Sequence, residues 1–227
     1  MFFDPIFLLF VLLPSLALGM WAQAKVKGAY AKAAKIRGNS GLTGAQAAAE
    51  ILAAERISDV RIEPTRGWLS DHYDPRKKVL RLSPEVYNGQ SLAALGIAAH
   101  EVGHAIQHAD AYKPLVIRNG LVPMAGIGSN LSFILIIIGL ILGALQLAWV
   151  GVAMFGVTVL FQLVNLPVEF DASSRAKQKL LELGMVTEGE NRSVAKVLNA
   201  AAMTYVAATI TAVLHLLYYV MLLTGRE

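Results

Sequence analysis

Three residues in one short stretch have the types and spacing for metal chemistry. Within 98–108, AAHEVGHAIQH, His100, Glu101 and His104 stand in the order H-E-x-x-H. Positions i and i+4 of a helix share a face, so the two imidazoles can be presented to one point. Imidazole nitrogen binds zinc at about 2.0–2.1 Å, in a tetrahedral site that a catalytic protein leaves partly open to water. A glutamate beside the first ligand can then act on that water as a base without binding the metal. The alternative is two surface histidines beside a glutamate. The flanks favour the metal reading: Ser91 is placed to cap a helix, and 91–109 is Ala-rich and apolar without Pro. A helix is therefore expected there whatever the motif does.

Two histidines need at least one more ligand. Glu169 is the first charged residue after an uncharged run from 119 to 168, and a carboxylate from a distant helix is a familiar completion of a His₂Glu site. The competing reading is a carboxylate favoured at a helix start by the helix dipole. Asp171 follows two residues on, about 200° around a helix, so it and Glu169 cannot both face one metal. His108 lies one turn beyond His104, about 6 Å further along the helix, which points to an orienting or core role. Asp71 and His72, in the donor-rich run 69–74, could complete or orient the site, or build a turn through Asx-type hydrogen bonds. Tyr205 could offer a hydrogen bond to a developing oxyanion, whereas His215, deeper in the same helix, reads as a helix–helix contact.

The elements that must position these residues are mostly membrane helices. The chain of 227 residues is 56% hydrophobic and only 16% charged, with a mean hydropathy of +0.53. A soluble domain carries about 25% charge. There are no cysteines, so any metal must use His, Asp or Glu. Net charge is only +4, and no nucleic-acid partner is expected. The run 5–24 is one bilayer long, lacks a basic region before it, and reads as an uncleaved anchor, with Pro14 tolerated inside it. The run 119–168 would be about 75 Å of helix and must fold back as a hairpin. Its turn is expected at 146–151, where Trp149 would suit the interface. Spans are expected at roughly 5–23, 125–145, 150–166 and 201–223. Of the 20 Lys and Arg residues, only Arg226 falls on the opposite side from the rest. The positive-inside rule makes the basic side cytoplasmic.

The chain then divides into an anchor (1–24), a region holding the motif helix (25–118), a membrane hairpin (119–168), a helix carrying Glu169 (169–200) and a last span (201–227). The fold class is a mainly α membrane protein of about four transmembrane helices, with a cytoplasmic zincin-like α+β region containing a small β-hairpin or sheet. In that region 26–37 continues the first helix and 38–41, GNSG, breaks it. Thr43 and Gln46 have the capping-box form before a helix over 45–56. A short strand is expected at 60–65, with Pro64 marking an end or an edge. A hairpin follows, with arms 67–73 and 78–83 about the turn 74–77. The arm 78–83 could accept an extended peptide by strand addition, or simply cover the motif helix.

The residues so assembled, LSDHYDPRKKVLRLS, AAHEVGHAIQH and EFDASSRA, resemble the YugP-type neutral zinc metallopeptidases of bacterial membranes over nearly the whole chain. These are similar in turn to HtpX and the CAAX prenyl proteases, which pair H-E-x-x-H with a later E-x-x-x-D. The resemblance implies His100 and His104 as ligands, Glu101 as catalytic base, Glu169 as third ligand and one Zn²⁺ per chain. The chain departs from E-x-x-x-D at Ser173, so the orienting carboxylate is missing there or replaced, with Asp171 and Asp71 as the candidate substitutes. The expectation is a membrane-embedded zinc metalloendopeptidase working at the cytoplasmic membrane face, with a role in membrane-protein quality control. Its partners would be a peptide or membrane-protein substrate and the bilayer, with self-association or a membrane-protein partner left open. A site-2-type intramembrane protease and a non-catalytic zinc-containing scaffold or adaptor are the rival readings.

Overall fold

The computed structural model describes residues 4–67 and 70–225. Leu69, in the donor-rich run, and Arg226, the lone basic residue on the opposite side, lie outside the described residues. Seven helices and three strands follow one another: α1 (Pro5–Ala33), α2 (Gly44–Ala54), β1 (Arg61–Pro64), β2 (His72–Asp74), β3 (Val79–Leu82), α3 (Pro84–Tyr87), α4 (Leu92–Ala109), α5 (Lys113–Ile141), α6 (Leu145–Glu182) and α7 (Glu188–Thr224). The helices α1, α5, α6 and α7 are each long and apolar enough to cross a membrane. The expected class, a mainly α protein with four such helices and a small sheet, is the one observed.

Backbone contacts divide the chain into two compact units. The first holds 4–22, 113–167 and 203–225. Its hairpin of α5 and α6 packs through glycines. A Cβ on Gly139 would meet the Ala148 backbone nitrogen at 2.5 Å, and one on Gly151 would meet the Ser132 carbonyl at 2.7 Å. Apolar surface gains nothing by leaving lipid, so such close backbone approach is what holds membrane helices together. The turn lies earlier than expected. Residues 142–144 make it, with Gly143 at φ +67°, while Trp149 is already inside α6. Glycine enters the left-handed region without strain, and that local freedom outweighs the interfacial preference of a tryptophan. Phe7 of α1 packs at a tilt against Tyr218 and edge-on against His215 of α7, and Tyr218 donates to Asp4 at 2.8 Å. His215 is thus a helix–helix contact.

The second unit holds 23–67, 70–112 and 168–202. Its core is built from Ile51 and Leu52 of α2, Leu80 and Leu82 of β3, Leu92, Leu95 and Val102 of α4, and Leu180, Val194 and Val197 of α6 and α7. The expected caps are present. Thr43 and Gln46 exchange hydrogen bonds at 3.2 and 2.8 Å, and Ser91 accepts from Ala94 N at 3.2 Å. Each cap satisfies a backbone donor that a helix start leaves open, worth about 1 kcal/mol. A second capping box, in which Thr187 and Glu190 serve one another, starts α7 at Glu188. Asp74 accepts from Arg76 N and Lys77 N and makes the turn before β3.

The sheet has the order β1-β3-β2, with β1 parallel and β2 antiparallel to β3. This corrects one expectation. The arm 78–83 cannot receive a peptide as an added strand, because β3 is paired on both sides. Val79 is also fully buried, so β3 reads as a central strand with only Arg81 left partly exposed. The free edges belong to β1 and β2.

Candidate metal centre

The helix α4 carries the motif on a face that is almost wholly buried. Small residues let α4 sit close to its neighbours. A Cβ on Gly103 would lie 2.6 Å from the carbonyl oxygen of Ala172 and 3.1 Å from its Cα. Backbone of α6 at Ala172, three residues after Glu169, therefore passes directly over Gly103, one residue before His104. The Gly103→Ala protein should lose about 1–3 kcal/mol of stability, because only a shift of α6 relieves the clash. That shift carries Glu169 away from α4. Thermal unfolding and zinc titration together check this; wild-type values in both would show that α6 does not depend on the glycine.

At this crossing three donors converge. Oε2 of Glu169 lies 3.3 Å from His100 Nε2 and 3.7 Å from His104 Nε2. One ligand atom from each residue lies within 4.8 Å of those of the other two. The side chains of His100, His104 and Glu169 are only 15%, 12% and 4% exposed. The two rings stand nearly perpendicular, 4.8 Å between centroids, as i and i+4 on one face. Glu169 is not at a helix start. The helix α6 runs unbroken from Leu145 through Pro167 to Glu182, so the dipole reading of this carboxylate does not apply.

The donor set fits a divalent cation. Oε2 of Glu169 is buried and makes no hydrogen bond, which is costly for a carboxylate oxygen unless something else neutralises it. The surroundings favour positive charge. Burial works against charging His104, yet the Glu169 and Glu101 carboxylates and the Gln107 amide outweigh it and raise its pKa. Burial likewise pushes the Glu169 carboxyl up, but the two imidazoles hold it well below the usual carboxylate range. Two imidazole nitrogens and one carboxylate oxygen form a ligand set well suited to zinc. Glu101, at 9% exposure, lies on the same helix but outside the cluster.

The other candidate residues are placed as follows. Asp71 accepts from Ser83 N at 2.7 Å and from Ser83 Oγ at 3.0 Å, and burial raises its pKa. It is a structural carboxylate that ties the chain before β2 to the end of β3. His72 donates from Nδ1 to Ser70 O at 2.8 Å, and its Nε2 faces Arg81 at 3.4 Å. His108 Nδ1 pairs with the Tyr73 hydroxyl at 2.9 Å, an orienting or packing contact one turn past His104. Asp171 accepts from Arg175 Nε at 2.7 Å. Tyr205 belongs to the first unit, where its carbonyl accepts from Thr209 at 2.8 Å. Among the described residues the cluster includes none of Asp71, His72, His108 and Asp171.

Two side chains that touch the ligand histidines were not singled out in the sequence for that role. Ser173 Oγ lies 3.1 Å from His100 Nδ1, and Gln107 Oε1 lies 3.0 Å from His104 Nδ1. Ser173 thus sets a hydroxyl at the back of His100. Gln107 could have been found from its i+3 spacing to His104 on a helix with a buried face.

A family model described as "Putative neutral zinc metallopeptidase" matches residues 8–224. The chain belongs to that family. It is 46% identical over 220 residues to the protein named "Putative membrane protease YugP" of Bacillus subtilis (strain 168), covering 96% of this chain and 98% of that one. No solved structure matches the chain.

Proposed function

We propose that this protein is a membrane-embedded zinc metalloendopeptidase that binds one zinc ion through His100, His104 and Glu169 and cleaves peptide bonds at the cytoplasmic membrane face. The observation that carries the reading is the buried, unbonded Oε2 of Glu169, aimed between two imidazole nitrogens. When bound, zinc would polarise the scissile carbonyl and lower the pKa of water to about 7. Glu101 would take the proton of the attacking water and pass it to the leaving amine. A three-ligand cluster also supports an open, catalytic site over a closed scaffold site, which would require a fourth protein ligand. The candidates for that fourth place, His72 and His108, are engaged with Arg81 and Tyr73. The site-2-type reading needs Asp171 as ligand, whereas this residue is engaged by Arg175.

Substrates would be unfolded or membrane-protein segments near the bilayer, in keeping with a quality-control role. An extended segment would pair with the open edge of β2, whose Tyr73 meets His108 one turn from His104. The cytoplasmic assignment rests on the one-sided distribution of Lys and Arg. Because the chain has no cysteine, a single cysteine placed at the exposed Ser58 reports sidedness without background. An impermeant thiol reagent should label Ser58→Cys only in opened cells. Purified chain should cleave an unfolded peptide, lose that activity to a zinc chelator and recover it when zinc is restored. Labelling in intact cells would overturn the sidedness, and chelator-resistant cleavage would overturn the zinc chemistry.

A further inference from the structure

The amide of Gln107 requires a proton on Nδ1 of His104. Gln107 is fully buried. Its Nε2 lies 2.8 Å from the Val168 carbonyl oxygen and 2.8 Å from Asp171 Oδ2. The first of these can only accept, and the second already accepts from Arg175 Nε at 2.7 Å. An amide oxygen at that position would face two oxygens without a proton between them, so the NH₂ must point there. Oε1 is then the atom 3.0 Å from His104 Nδ1. Since Oε1 can only accept, Nδ1 must carry a proton, which leaves Nε2, on the Glu169 side of the ring, as the nitrogen able to bind a metal.

We infer that Gln107 is a positioning residue for the zinc site, setting both the tautomer and the ring plane of His104. The inference rests on the reading of His100, His104 and Glu169 as the zinc ligands. The amide is itself held by a chain of groups. Asp171 binds it, Arg175 binds Asp171, and Arg175 Nη1 reaches Asp110 at 2.6 Å while its guanidinium lies 5.8 Å from the Tyr112 ring centroid. Metal-bound histidines often lean directly on a carboxylate. Here the carboxylate stands one residue further back, and a neutral amide makes the contact. Glu101 and Glu169 already place two carboxylates at the site, and a third against His104 would add a buried like charge. The amide orients the ring without that cost.

The test uses the full chain in detergent and zinc alone as probe. Nitrogen NMR of ¹⁵N-histidine-labelled protein without metal, with His104 assigned by comparison with His104→Ala, reads the tautomer. Zinc affinity is read by chelator competition. The expected results are a His104 protonated at Nδ1 in the wild type, and in Gln107→Leu a loss of that signature with a zinc dissociation constant raised about 10–100-fold. A purely structural Gln107 would change thermal stability and leave the tautomer in place. A wild-type His104 protonated at Nε2 alone overturns the inference without any variant being needed. So does wild-type zinc affinity in Gln107→Leu. A wild-type chain that binds no zinc overturns the ligand reading itself, and this inference with it.

Discussion

Replacing Glu101 with Gln is expected to leave one zinc per chain in place and to lower peptide cleavage by about 10²–10⁴-fold, the usual contribution of a positioned general base. The two side chains have nearly the same volume, so the buried pocket around position 101 is filled as before. Gln cannot take a proton from water. Zinc content should not change, because Glu101 lies outside the cluster of His100, His104 and Glu169. Zinc measured by mass spectrometry beside peptide turnover separates the outcomes. Unchanged cleavage removes Glu101 from the mechanism. Lost zinc makes it a ligand and rewrites the site.

Replacing Glu169 with Ala is expected to weaken zinc binding by more than about 100-fold, beyond the 10–100-fold that follows from losing an orienting partner. Two imidazoles on one helix remain, but they no longer have the carboxylate that closes the cluster. The effect is visible in stability as well as in stoichiometry. Zinc at about 100 times its dissociation constant stabilises the folded wild type by about 2.7 kcal/mol, and Glu169→Ala should show little of that increment. Asp171→Ala is the control. It loosens Gln107 and so weakens binding, yet keeps one zinc per chain. The opposite pattern, with zinc lost in Asp171→Ala and retained in Glu169→Ala, would make Asp171 the ligand, as the intramembrane rival requires.

Much of the second unit was legible because its signals are local. Ser91, Thr43 and Gln46 satisfy backbone donors within three residues of themselves, so their caps follow from spacing alone. Asp74 builds its turn in the same way. The sheet was only half legible. Val79, Leu80, Arg81 and Leu82 show a strand, but which strands flank it depends on a parallel partner 18 residues earlier, and pairing across that distance leaves no mark in β3 itself. The hairpin turn was misplaced for a related reason. Both Gly143 and the segment around Trp149 carry plausible turn chemistry, and helix packing through Gly139 and Gly151 selects the first.

The sequence by itself determined that His100 and His104 share a helix face, that four apolar stretches are long enough to cross a bilayer, and that any metal must be held by His, Asp or Glu. Those conclusions rest on helical periodicity, length and composition, which do not depend on where other segments go. Only the tertiary structure decided that Glu169, 65 residues after His104, brings its Oε2 between the two imidazoles. It also decided that Ser173 and Gln107, not Asp71, His72 or His108, stand behind them. The physical reason is the crossing of α4 and α6. Backbone closes on Gly103 there because that residue has no side chain, and the crossing selects which residues of a distant helix face the motif.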